Sequence, residues 1–201
     1  MKFEDILYEV RNGVAWITIN RADKMNAFRG TTCDEIIKAL NKAGYNREVG
    51  CIVLAGAGDR AFCAGNDLKF QARADGPRRY PKSGFCGLTA RFDLDKPVIA
   101  AVNGPAYGGG LCLSLGADLR FAAASAEFNA TGIVNGLTST ELGASWLLPR
   151  LVGASIAAEL MLTGRFIQAQ RALAVGLVAE VVPDDQLEAA AGDAAVPVED
   201  I

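Results

Sequence analysis

The chain has 201 residues, which suits one domain, and 51% of them are hydrophobic, enough for a sizeable core. A charged share of 21% and a net charge of −3 exclude a disordered polyelectrolyte and a general nucleic-acid binder. There is no histidine, which removes Ser-His-Asp and Cys-His catalysis and argues against a transition-metal centre; the five cysteines (Cys33, Cys51, Cys63, Cys86, Cys112) form no CxxC pair, so neither a disulfide framework nor a zinc site is expected.

Met1 to Arg11 carries acids early and no apolar signal core, and no stretch approaches the ~20 apolar residues of a membrane span, so the reading is cytoplasmic with no membrane partner. Val14–Asn20 is a short β-branched strand, followed by a loop to Lys24. Thr32 and Glu35 have capping-box spacing ahead of Ile36, Ile37 and Leu40, which predicts a helix to Ala43. Gly50–Ala55 is a second buried strand. Ala64–Phe70 opens another helix, and the polar stretch Ala72–Lys82 is a surface loop. Pro97–Asn103 is a third buried strand, after which Gly108-Gly109-Gly110 opens a helix to about Leu115. Asp118–Ala122 and Ala126–Phe128 read as short strands. Glu141–Leu151, Ser155–Leu162 and Ala169–Ala174 read as helices, the last two closed by Gly164 and Gly176. Leu177–Val182 is a final strand. Strands alternating with helices make this an α/β protein. Residues 1–184 form the core domain, and 185–201 are a short Ala-rich acidic tail, either one frayed helix or disordered.

Two segments carry chemistry. Ala61-Phe62-Cys63-Ala64-Gly65-Asn66-Asp67-Leu68-Lys69 leaves a buried strand and enters a helix. Ala101-Val102-Asn103-Gly104-Pro105-Ala106-Tyr107-Gly108-Gly109-Gly110 does the same. A helix start carries unsatisfied N–H groups and a positive dipole end, and glycine lets a ligand approach the backbone. Two such turns side by side would clasp one oxygen anion, an oxyanion hole. Either turn alone more often serves helix–strand packing.

In this order and at this separation the two segments resemble the paired segments of the crotonase (enoyl-CoA hydratase/isomerase) superfamily. Asn20–Phe28 (NRADKMNAF), Leu147–Gly153 and Leu162–Val182 continue the resemblance, which covers roughly residues 10 to 185. It implies a spiral of ββα units forming two sheets with surrounding helices. It also implies trimers, often paired into hexamers, an acyl-CoA thioester substrate and no cofactor beyond the coenzyme A of that substrate. The backbone N–H groups of Asn66 and Gly109 would be the oxyanion donors. Lys24, Met25, Ala27, Ala64, Asp67, Leu68 and Lys69 match segments along the CoA path, although Lys24 and Lys69 could equally be solvated surface amines. Arg78-Arg79, ordinarily a solvated pair, could meet a phosphate there.

Two departures follow from the same comparison. The two positions where a family hydratase carries glutamates fall on Cys112 and Gly132. Cys112, on an apolar helix, reads as a small core residue rather than a nucleophile. Glu141 lies where some non-hydratase members carry a catalytic acid; there it is either a lone acid/base or a residue of a helix first turn capped by Thr138, Ser139 or Thr140. The second departure is that family members usually continue well past the last strand into helices, whereas this sequence ends soon after Asp185. The expected function is an enoyl-CoA hydratase/isomerase-type reaction on an acyl-CoA. The alternatives are a hydrolase on the same scaffold, or a non-catalytic acyl-CoA binder or assembly subunit.

Overall fold

The computed structural model describes residues 2–71, 81–138 and 141–195, and of Gln71 and Glu141 the backbone alone. Arg78-Arg79 and most of the expected surface loop lie outside these residues. Along the chain run β1 (Ile6–Arg11), β2 (Val14–Ile19), α1 (Gly30–Tyr45), β3 (Cys51–Gly56), α2 (Leu68–Gln71), β4 (Val98–Val102), β5 (Ala106–Tyr107), α3 (Gly109–Leu115), β6 (Leu119–Ala123), β7 (Glu127–Asn129), α4 (Ala144–Thr163), β8 (Ile167–Gln168), α5 (Ala169–Ala174), β9 (Glu180–Val182) and α6 (Leu187–Asp193). Six strands form one sheet in the order β1-β2-β3-β4-β6-β9, antiparallel at β1-β2 and parallel thereafter. The other three form a small sheet in the order β5-β7-β8. The two sheets with helices around them agree with the α/β architecture that the resemblance implies.

Strands β2, β3, β4 and β6 of the larger sheet are buried on both faces, and they divide their side chains by the two-residue period of a strand. Ala15, Ile17, Ile52, Leu54, Val98, Ala100 and Ala122 enter the main core, which α1, α3 and α4 close. Their neighbours Val14, Trp16, Cys51, Val53, Ile99, Ala101 and Phe121 enter a second cluster on the opposite face. Leu187, Ala191 and Ala195 cover that second cluster, so α6, within the Ala-rich tail, packs onto the sheet. Residues 196–201 lie outside the described residues.

Several local expectations are corrected. β1 went unread because only Ile6 of its six residues is buried and no apolar alternation marks it. The helix expected at Thr32 begins at Gly30. Thr32 is its third residue, and its hydroxyl accepts the N–H of Arg29 at 3.0 Å. Glu35 turns inward instead of capping: its two carboxylate oxygens accept the N–H groups of Glu4 and Asp5, each at 2.8 Å. The segment expected to turn helical at Ala64 stays extended and coils only from Leu68. Strand geometry in the last segment is confined to Glu180–Val182.

α4 also revises the expectation that no stretch suits a bilayer. Its length and a mean hydropathy of 1.3 meet that requirement. Yet Gly153 (φ 78°, ψ 161°) breaks it into pieces spanning 144–152 and 154–163. Each piece is about half of the ~20 residues that a continuous span needs. The helices expected at Glu141–Leu151 and Ser155–Leu162 are these two pieces, except that the first starts at Ala144, after a 3-10 turn over Glu141–Gly143.

Candidate active site

The segment between β3 and α2 is stitched along both edges. On one side Cys63 donates its N–H to Pro105 at 3.1 Å and accepts the N–H of Tyr107 at 3.0 Å. On the other, Ala64 donates to Met25 at 3.0 Å, Gly65 accepts from Phe28 at 2.8 Å, and Asp67 donates to Phe28 at 2.9 Å. Both partners of Asn66 in the chain therefore face Phe28. The alternation of an extended segment then turns the Asn66 amide the opposite way, toward α3. Gly109 is the first residue of α3, so its N–H has no acceptor within the helix. A Cβ built on Gly65 would lie 3.8 Å from the Gly109 nitrogen, which puts the two turns side by side.

The glycines make this approach possible. A Cβ on Gly65 would come within 2.9 Å of the Tyr107 carbonyl oxygen, and one on Gly109 within 2.3 Å of the Phe28 ring. Phe28 is 5% exposed and packs edge-on against Phe85 with ring centroids 4.9 Å apart, forming a rigid back wall.

Asn66, Gly109, Ala64, Leu68 and Phe28 line one cavity of about 580 Å³, within the ordinary range for small-molecule sites. Leu111, Ala130, Leu137, Leu142 and Ala144 give it apolar walls. Cys112 and Gly132, which hold the two hydratase-glutamate positions, both line this cavity. No Asp or Glu is among its described lining residues. Cys112 is 5% exposed on a fully buried stretch of α3, in keeping with a core thiol. The backbone of Glu141 stands immediately before Leu142, which takes a left-handed conformation (φ 56°) at the cavity wall; the Glu141 side chain lies outside the described residues.

The remaining CoA-path residues divide. Ala64 and Leu68 reach the cavity, and Leu68 is 68% exposed at its lip. Lys69 is exposed, and exposed Lys24 pairs with Asp23 at 3.1 Å. Met25 ends the turn before it in a left-handed conformation (φ 51°), and the Ala27 carbonyl accepts from the Arg21 guanidinium. Asp67 is held by Arg21 at 2.9 Å, and that hydrogen bond keeps its carboxyl below the usual carboxylate range.

Sequence reasoning missed Arg21, Asn26 and Phe28 as residues that hold this site. The fully buried Asn26 donates to Ala57 at 2.9 Å and to Ala61 at 2.8 Å, and accepts the Arg21 N–H at 3.0 Å. The available signal is the Arg21…Asn26-Ala27-Phe28 spacing itself, which in the sequence carries meaning only as part of the resemblance. Tyr107 was missed too. Its hydroxyl donates to Glu127, and burial together with that carboxylate pushes its pKa up.

Known proteins resemble this chain in sequence and in fold. The family described as enoyl-CoA hydratase/isomerase matches residues 9–196. A probable enoyl-CoA hydratase of Mycobacterium tuberculosis is 44% identical over 186 residues, which are 88% of this chain and 65% of that protein; this chain thus spans just under two thirds of that relative. A structure of EchA1_1 from Mycobacterium paratuberculosis superposes with a TM-score of 0.89 at 37% identity, covering 97% of this chain and 78% of that one. A monofunctional enoyl-CoA isomerase from M. smegmatis superposes with a TM-score of 0.77 at 40% identity, covering 95% and 83%. By its matched segments, its fold and its paired turns, the chain belongs to the enoyl-CoA hydratase/isomerase family.

Proposed function

We propose that this chain binds an acyl-CoA thioester with its carbonyl oxygen between the amides of Asn66 and Gly109, and that it catalyses an isomerase-type proton shift on the acyl chain. The observation that carries the reading is the shared cavity of about 580 Å³, in which those two turns meet apolar walls. Two hydrogen bonds to the carbonyl oxygen stabilise an enolate as the α-proton leaves, which is where most of the barrier lies. Cys112 and Gly132 supply no paired carboxylates, so hydration, which needs one group to activate water and another to deliver a proton, is the less favoured reaction. We assign the proton to Glu141, whose neighbours Leu142 and Ala144 both line the cavity. Lys24 and Lys69 reach for the CoA phosphates, and Met25, Ala27 and Asp67 shape the path through their backbone. The cytoplasmic setting and the assembly into trimers expected from the sequence and the resemblance go with this reading.

That no carboxylate is among the described lining residues favours a second reading, a non-catalytic binder, over a hydrolase. Titration calorimetry with a saturated acyl-CoA, followed by assays of crotonyl-CoA hydration and of 3-enoyl to 2-enoyl isomerisation, separates them. Binding with isomerisation supports the first reading, and binding without either turnover supports the second. No binding overturns both.

A further inference from the structure

We propose that Cys33 and Cys86 are a disulfide-forming pair, a redox modification site built into the wall behind the acyl cavity. Their sulfurs lie 2.9 Å apart, although the residues are 53 positions apart in the chain. All five cysteines are buried thiols, and this is the one Sγ–Sγ hydrogen bond among the described residues. A disulfide bond is about 2.05 Å long, so the two sulfurs need to close by only about 0.9 Å.

The turn that carries Cys86 lies close on α1. Cys33 sits in the first turns of α1, and Cys86 sits at the centre of a short 3-10 turn, Phe85–Gly87, in a left-handed conformation (φ 48°, ψ 23°). One residue on, a Cβ at Gly87 would lie 2.7 Å from the Ile37 side chain, one helical turn beyond Cys33. Only glycine lets the turn come that close to the helix. The turn also carries Phe85, whose ring packs on Phe28 and would stand 3.3 Å from a Cβ on Gly109. A link between Cys33 and Cys86 therefore ties α1 to the wall of the acyl site. The third nearby thiol, Cys63, is fully buried, and burial pushes its pKa to about 12.

The oxidant is a small peroxide. One sulfur, as thiolate, attacks a peroxide oxygen, the O–O bond breaks, and the departing oxygen takes up a proton as water. The resulting sulfenic acid is attacked by the second sulfur, which loses its proton as the S–S bond forms and a second water leaves. Two thiols and one hydrogen peroxide become one disulfide and two waters, and a dithiol reverses it. Both residues are 1% exposed, so the rate follows local opening of the turn rather than simple collision.

The test is a cysteine count and a peptide map on the folded protein treated with hydrogen peroxide, then quenched, unfolded and alkylated with iodoacetamide. Each cysteine falls in its own tryptic peptide, with Cys33 in 30–38 and Cys86 in 83–91. The expected result is a loss of two hydrogens, three alkyl groups in place of the five taken up by the reduced chain, and a cross-linked 30–38/83–91 peptide. Dithiothreitol should restore all five. The link should persist in Cys63→Ser and vanish in Cys86→Ser, and protein unfolded before oxidation should give mixed pairings. Five alkylatable thiols after peroxide, a dominant link to Cys63, or oxidation to sulfinic and sulfonic acids without a link would each overturn the proposal. The parent map decides the matter even if Cys86→Ser does not fold.

Discussion

A Cβ placed on Gly110 would fall 2.0 Å from the carbonyl oxygen of Cys63, so the second residue of α3 lies directly on the backbone of the segment that presents Asn66. The obstacle is a main-chain oxygen, which no rotamer change can move. Alanine is the better helix former by about 1 kcal/mol, yet packing must win here. Gly110→Ala is expected to cost about 3 kcal/mol of stability and to abolish saturable acyl-CoA binding, as the two turns are forced apart. Urea unfolding and calorimetry on one preparation check both. A variant as stable as the parent would mean that the turns are not in contact.

The Arg21–Asp67 pair ties the first matched segment to the second, and it sets an acid limit on the fold. The Arg21 hydrogen bond holds the Asp67 carboxyl below its usual range. At Asp5, burial pushes the pKa up, but hydrogen bonds from Arg29 and Thr32 and the charges of Arg29 and Arg21 outweigh it, so the net shift is again downward. A carboxyl with a lower pKa folded than unfolded stabilises above the unfolded value, near ~3.9, and loses that contribution as the pH falls through the folded value. Urea midpoints measured from pH 6 downward should therefore fall steeply below about pH 4 in the parent. They should fall less steeply in Asp67→Asn, which starts lower at neutral pH. Parallel curves would remove Asp67 from the account.

The site was legible to the extent that it is local. Gly65-Asn66 and Gly108-Gly109 announce themselves because strand, glycine turn and helix start are adjacent in sequence. Their meeting in one cavity follows from parallel pairing between segments some 40 residues apart, which only the resemblance anticipated. Glu35 misled because its spacing from Thr32 fits a cap, whereas its carboxylate serves the backbone before β1, a partner no helix rule can see. Cys33 and Cys86 look scattered for the same reason: their contact exists only once the turn at Phe85–Gly87 packs on α1. The tail was read from composition, which registers its many alanines but not the period that sets Leu187, Ala191 and Ala195 on one face.

For Glu141 the expected result is a divided one. If it carries the proton, Glu141→Gln should lower kcat for the isomerisation by about 10²-fold or more while changing acyl-CoA affinity little, since the amides of Asn66 and Gly109 remain. If Glu141 carries no proton, the same variant should keep both turnover and stability, because Glu141 stands two residues before Gly143, which caps α4, and so lies outside the first turn that the sequence suggested for it. Single-turnover rates beside a thermal melt distinguish the two, and unchanged turnover ends the catalytic assignment.

Gly153 decides what α4 is. At φ 78° and ψ 161° it occupies a region that only glycine enters readily, and a Cβ there would meet no atom within 4 Å. The effect of Gly153→Ala is therefore backbone strain without collision, expected at about 1–3 kcal/mol. The strain has one escape, which is to take helical angles and join 144–152 to 154–163 in a straight helix. That would swing the second piece, with Leu160 and Ala157, out of the core they now fill at 2% and 0% exposure. Lost packing of that kind costs more than the strain it relieves. The variant is therefore expected to keep the parent's helical circular dichroism and to unfold at lower urea. A gain in helicity with equal or greater stability would mean that the break is not required by the fold, and that the two pieces behave as the single long apolar helix that their composition allows.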